Sequence, residues 1–167
     1  MAAIQEYIAN WVENFSEGRG LMLHGPVGTG KDHLAVAAMR EVADRFSATT
    51  EWIDGQSFYS WMRDRISEES SEQEAIKPYT RADVLLISDP LPAADNKAIT
   101  DFQQSTLWRI IDRRYRNLKP TWVTMNAATS EEVAAKVGLQ ITERLGDGAI
   151  VCLCNWPSAR KPTTVLK

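Results

Sequence analysis

The stretch Leu21-Met22-Leu23-His24-Gly25-Pro26-Val27-Gly28-Thr29-Gly30-Lys31-Asp32-His33 decides how this chain is read. A short apolar run, Leu21 to His24, enters a glycine-rich turn in which Gly25, Gly30 and Lys31 have the spacing G-x-x-x-x-G-K. The glycines let backbone N–H groups face phosphate oxygens without a Cβ in the way. The helix that starts near Lys31 presents its positive end to the same oxygens. The Lys31 ammonium then stands against the β- and γ-phosphates. A purely structural turn needs neither the lysine nor the spacing. The pattern predicts nucleotide binding by Gly25, Pro26, Val27, Gly28, Thr29, Gly30, Lys31, Asp32 and His33, with ATP and Mg²⁺ as ligands.

One residue departs from that pattern. Asp32 stands where Ser or Thr normally offers a hydroxyl to Mg²⁺. Its carboxylate either ligates the ion, directly or through water, or repels the γ-phosphate. Binding is thus better supported than hydrolysis.

Outward from the loop, hydrophobic period and turn signals alternate strand and helix. Ile4, Ile8, Trp11, Val12 and Phe15 fall on one face of a leading helix over residues 1–16, which ends at Glu17-Gly18-Arg19-Gly20. The run from Lys31 to Phe46 reads as a helix with Leu34, Ala37, Ala38 and Val42 inward. A strand near Glu51 to Ile53 leads to a helix from Gln56 to Ile66. The acidic, polar stretch Ser67 to Ala75 reads as a surface segment or a frayed helix end, mobile over residues 67–77. Val84 to Ile87 has the continuous apolar character of a buried parallel strand. A helix from Phe102 to Asn117 and a strand from Thr121 to Met125 follow. Ser130 is expected to N-cap the next helix, with Glu131 and Glu132 in its first turn. Gln140 to Leu145 is helical, and Ala149 to Cys154 is the last strand. This alternation predicts an α/β fold, a parallel sheet with helices on both faces.

A metal-organising acid belongs at the end of a buried strand beside the loop. In Asp83-Val84-Leu85-Leu86-Ile87-Ser88-Asp89-Pro90, Ser88 takes the first acid's place and Asp89 the second's. Shifted by one, Asp89 becomes the metal organiser and Pro90 falls where the base belongs. Asp89 is therefore read as Mg²⁺ organiser or short-armed base, and one of two acids is missing. A third strand ends in Asn126, whose neutral amide suits holding an attacking water or touching the γ-phosphate.

Composition bounds the rest. The 167 residues carry a formal net charge of −3, with 44% apolar and 25% charged residues. That excludes a surface that is polyanion-binding throughout. No apolar run approaches the roughly 18 residues of a membrane span, and the amphipathic N-terminus is unlike a signal peptide. A cytoplasmic location follows. Cys152 and Cys154 share one strand face, read as reduced core thiols, and His24 and His33 complete no metal site with them.

From about Gly20 to Arg160 the sequence resembles the AAA+ ATPases of the DnaC-type helicase loaders and the IstB-type transposition ATPases. The resemblance rests on GPVGTGKDHLA, ADVLLISDP, IIDRRYRNLKPTWVTMN, ITERLGDG and CNWPSARK. It implies a three-layer P-loop NTPase with an AAA+ core over residues 1–167 and little or no lid domain. It implies an arginine finger at Arg144, acting on a neighbouring subunit's nucleotide, and a second sensor at Arg160. It also implies self-assembly through the Arg144 face, a replicative helicase or transposase as partner, and single-stranded DNA. Arg109, Arg113, Arg114, Arg116 and Lys119 are the candidate phosphate contacts, with Tyr59 and Trp61 the candidate stacking platform.

The departures at Asp32 and Ser88-Asp89 put rapid turnover in doubt. No partner-binding domain precedes the leading helix, so the chain reads as a fragment or a core-only relative. The expected function is a slow ATPase in DNA replication or transposition. The alternatives are a nucleotide-dependent assembly switch without hydrolysis and a small-molecule kinase.

Overall fold

The computed structural model describes residues 2–67, 71–91 and 98–160. Five parallel strands form one sheet: β1 (Leu21–His24), β2 (Thr50–Asp54), β3 (Val84–Ser88), β4 (Thr121–Met125) and β5 (Ile150–Leu153), in the order β2-β3-β4-β1-β5. The α/β reading stands, with one refinement. β3, expected beside β1, is separated from it by β4, which pairs with both.

The period of two sorts the strand side chains. Leu21, Leu23, Val84, Leu86 and Trp122 pack on one face with α1 (Ala2–Ala9), α2 (Trp11–Ser16) and α3 (Lys31–Phe46). Met22, Leu85, Ile87, Val123 and Met125 pack on the other. There they meet α4 (Gly55–Ser67), α5 (Glu72–Arg81), α6 (Asp101–Arg116), α7 (Ser130–Val137) and α8 (Leu139–Gly146). Parity then puts Ser88 with Val84 and Leu86, and Thr124 with Trp122. Both hydroxyls therefore look towards α3.

The leading helix is broken at Asn10, and the break rotates the buried face. Val12 is 73% exposed and Asn14 is buried instead. The Asn14 amide donates to the Tyr7 carbonyl at 2.9 Å, satisfying one of the orphaned carbonyls at the end of α1. Along α3 the inward stripe is Lys31, Ala35, Ala38 and Val42, so Ala37 faces solvent and Leu34 only the edge.

Part of the acidic stretch is helix. α5 starts at Glu72, with the Ser71 hydroxyl accepting from the Glu74 N–H and Ala75, Ile76 and Thr80 buried. Residues 68–70 lie outside the described residues. The N-cap of α7 is Thr129 rather than Ser130, its hydroxyl accepting from the Glu132 N–H at 3.2 Å. Among the described residues no helix is long and apolar enough to cross a membrane.

Candidate nucleotide site

β1 delivers the chain into the glycine loop at the C-terminal edge of the sheet, where parallel α/β folds bind ligands. Gly25 is dictated by close approach: a Cβ there would stand 2.3 Å from the Cys154 carbonyl oxygen. Gly30 has open space around it but sits at φ 83°, the left-handed turn that starts α3.

The Lys31 side chain curls back into the loop. Its ammonium donates to the carbonyls of Gly25 (2.9 Å) and Pro26 (2.7 Å) and to the Thr29 hydroxyl (3.4 Å). Burial pushes its pKa down, while the neighbouring Cys154, Asp32 and Asp89 oppose that shift. A buried ammonium held by two carbonyls is a charge still seeking an anion.

Asp32 occupies the first turn of α3, exposed to solvent. Its Oδ1 accepts from the Ser88 hydroxyl at 2.8 Å and from the Thr124 hydroxyl in a short contact. Among the described residues Oδ2 accepts no hydrogen bond. Asp89 differs in both respects. It sits just past β3 at φ 42°, and the Asn126 side-chain amide donates to its Oδ2 at 2.5 Å while the Asn126 N–H reaches Oδ1 at 3.4 Å. Burial pushes the Asp89 carboxyl above the usual range despite those bonds; Asp32 adds to the rise and Lys31 opposes it.

A hard divalent cation brought in with a nucleotide needs an accessible carboxylate oxygen and room for water. Asp32 fits that requirement. Asp89, clasped by Asn126, is the weaker ligand. Among the described residues no group of three or more His, Cys, Asp or Glu side chains is placed to hold a metal ion.

Past β5 the chain folds over the loop. The Trp156 indole N–H donates to the Thr29 carbonyl at 2.8 Å, the Ala159 N–H to the Gly28 carbonyl at 2.8 Å, and the Ser158 hydroxyl to the same oxygen at 3.4 Å. Lys31, Asp32, His33, Asn126, Ala159 and Arg160 thus line one cleft with Val27, Gly28 and Gly30, of about 270 Å³. The sequence pointed to Arg160 here but missed Trp156, Ser158, Ser88 and Thr124. Only the NWPSAR stretch carried a signal for the first two.

Arg144 lies apart from the cleft, held within its own subunit. Its guanidinium pairs with Asp112 at 2.9 Å and stacks 4.0 Å from the Trp108 ring centroid and 5.5 Å from that of Tyr115.

The candidate DNA stripe disperses. Arg114 is fully buried. Arg109 pairs with Glu72, Arg116 with Asp112 at 2.9 Å and Lys119 with Asp83 at 2.6 Å. Tyr59 is core at 2% exposure, and Trp61 stacks on Phe58 rather than standing free. Both cysteines are free thiols.

The fold has close solved counterparts. A crystal structure of the DnaC helicase loader superposes with TM-score 0.79 at 24% identity, over 90% of this chain and 85% of that one. AMPPCP-bound DnaA from Aquifex aeolicus gives 0.69 at 20% identity, over 90% and 44%. The replication initiator DnaA bound to AMPPCP and single-stranded DNA gives 0.73 at 20% identity, over 91% and 44%. This chain thus spans less than half of those two DnaA chains. No curated protein matches it. The bacterial DnaA ATPase domain family matches residues 2–114, from the first helix through the glycine loop and both strand-end acid positions into α6. With two thirds of its length so matched and a DnaC-like AAA+ sheet, the chain belongs to the bacterial DnaA ATPase domain family.

Proposed function

We propose that this chain is a single AAA+ domain that binds ATP with Mg²⁺ and acts in the initiation of DNA replication as a helicase-loader-like ATPase with slow turnover. The observation that carries the reading is the convergence of Lys31, Asp32 and Arg160 on one cleft beneath a glycine loop. Lys31 exchanges two loop carbonyls for phosphate oxygens, a charge-assisted contact stronger than those it gives up. The N-terminus of α3 and the loop N–H groups face the same oxygens. Asp32 is the side chain that would hold Mg²⁺ brought in with the nucleotide, with Asp89 behind it, and the ion would supply neutralising positive charge. Asn126 keeps Asp89 in place, and together they border the position of an attacking water.

A second reading, binding without hydrolysis so that nucleotide state governs assembly, is favoured by one contact. The Asp89–Asn126 clasp engages the two groups that would otherwise activate water. Family membership leaves the small-molecule kinase alternative without support. The cytosol is the expected compartment. Single-stranded DNA and a replicative helicase remain the proposed partners, with Arg113 the exposed arginine of the former stripe that forms no ion pair among the described residues, Arg109 and Arg116 being exposed but paired.

Arg144 is expected to act on a neighbour's nucleotide once subunits assemble, after release from Asp112. Arg144→Ala should then leave calorimetric affinity for Mg-ATP within about twofold. It should also abolish turnover stimulated by assembly, where an arginine finger is worth roughly 10³–10⁵-fold. Undiminished hydrolysis by the assembled variant would reduce Arg144 to a pillar between α6 and α8.

A further inference from the structure

The loop residue after the P-loop lysine normally supplies a hydroxyl, and the neighbouring strand end a carboxylate, with Mg²⁺ held between them. In this chain the two chemical groups occupy each other's positions. Asp32 follows Lys31, and Ser88 ends β3. The two side chains nevertheless meet, the Ser88 hydroxyl donating to Asp32 Oδ1 at 2.8 Å.

We propose that hydroxyl and carboxylate have changed places across one retained hydrogen bond, making Ser88 the positioning residue for an Asp32 metal ligand. This rests on the nucleotide-binding reading above. Three observations support it. Ser88 and Thr124 are register partners on adjacent strands, so their hydroxyls reach Asp32 side by side. Ser88 is 7% and Thr124 1% exposed, and buried hydroxyls are placed where a partner needs them. Both converge on Oδ1, leaving Oδ2 of this exposed residue for the cation. An outer group that fixes a ligand in this way is worth about 10–100-fold in metal affinity.

The exchange predicts that each reversion alone is worse than both together. Ser88→Asp places a second carboxylate against Asp32 at hydrogen-bond distance, where like charges repel. Asp32→Thr leaves three hydroxyls and no carboxylate in the cluster. The pair Asp32→Thr/Ser88→Asp rebuilds the ordinary arrangement, with the hydroxyl after Lys31 and the carboxylate at the end of β3.

Two measurements decide it. Thermal melts of ligand-free protein are expected to show a clear Tm loss for S88D and recovery towards the parent for D32T/S88D. Should S88D fail to fold, folding of the double variant is the same recovery. Titrations with ADP, in excess Mg²⁺ and in EDTA, are expected to show S88A keeping the parent's EDTA affinity. Its gain on adding Mg²⁺ should fall about tenfold or more.

A double variant no more stable than S88D, or an S88A variant with the parent's full Mg²⁺ gain, overturns the exchange. A parent that binds no ADP in either buffer overturns the nucleotide reading instead, and the ligand-free melts still judge the pairing.

Discussion

Lys31→Ala is expected to abolish nucleotide binding, lowering affinity for Mg-ATP and Mg-ADP by at least about 100-fold. The substitution removes the one buried ammonium in the cleft. A charge-assisted phosphate contact contributes roughly 1.5–3 kcal/mol, and Lys31 has donors for two such contacts. The loss has a second source in the ligand-free loop. The Gly25 and Pro26 carbonyls that Lys31 braces at 2.9 and 2.7 Å would be left to water, and the loop would lose its internal support. Isothermal titration of the folded variant against Mg-nucleotide checks this. Affinity within tenfold of the parent's would mean that the loop is a structural turn.

Arg114→Ala is expected to lower stability by roughly 3–5 kcal/mol, with nucleotide affinity intact in whatever fraction folds. Read from sequence as part of a basic stripe, Arg114 is instead a buried hub. Its guanidinium donates to the carbonyls of Tyr79 (2.7 Å), Ala82 (2.9 Å), Asp83 (3.2 Å) and Pro120 (2.6 Å), and to the Thr121 hydroxyl (3.1 Å). Burial pulls its pKa down to about 9, with the nearby Asp83 charge opposing. The contacts join α6 to the turn between α5 and β3 and to the entry of β4. Removing them orphans several buried acceptors at once, which costs more than the bonds themselves contribute.

The exposed neighbour Arg113 is the control: Arg113→Ala should stay within about 0.5 kcal/mol. Arg114→Lys should recover little, because one ammonium with three donors cannot reach five acceptors spread in a fork. Urea denaturation of the three variants reads the difference directly. Equal midpoints for the 113 and 114 alanine variants would refute the hub.

The strand–helix alternation was legible because the sheet is parallel and doubly covered. Its central strands β1, β3 and β4 are short, largely apolar runs, and α3 and α6 carry clear 3.6-residue stripes. The glycine loop was legible because few folds need a lysine at that offset. Other features depended on contacts between positions far apart in sequence. The insertion of β4 between β1 and β3 leaves no local trace. The Asp32–Ser88 bond spans 56 positions and the Asp32–Thr124 bond 92. In one dimension Ser88 registers only as a lost acid.

Arg114 misled because a charged residue on a helix full of arginines looks solvated until its carbonyl partners are known. α5 was hidden by its polarity: its buried stripe is Ala75, Ile76 and Thr80, too thin to outweigh the surrounding acids and Pro78. The Asn10 break went unseen since apolar residues on either side of it continue a helical period.

The strap from Cys154 to Arg160 ties the end of the described chain to its beginning, with Trp156 and Thr29 127 positions apart. During synthesis the glycine loop emerges well before the strand and strap that buttress it. Closing so long a loop is slow relative to local helix formation. Competence for the nucleotide should therefore mature only when the residues through Arg160 are free to fold. A bound nucleotide would by mass action resist peeling of β5 from the sheet.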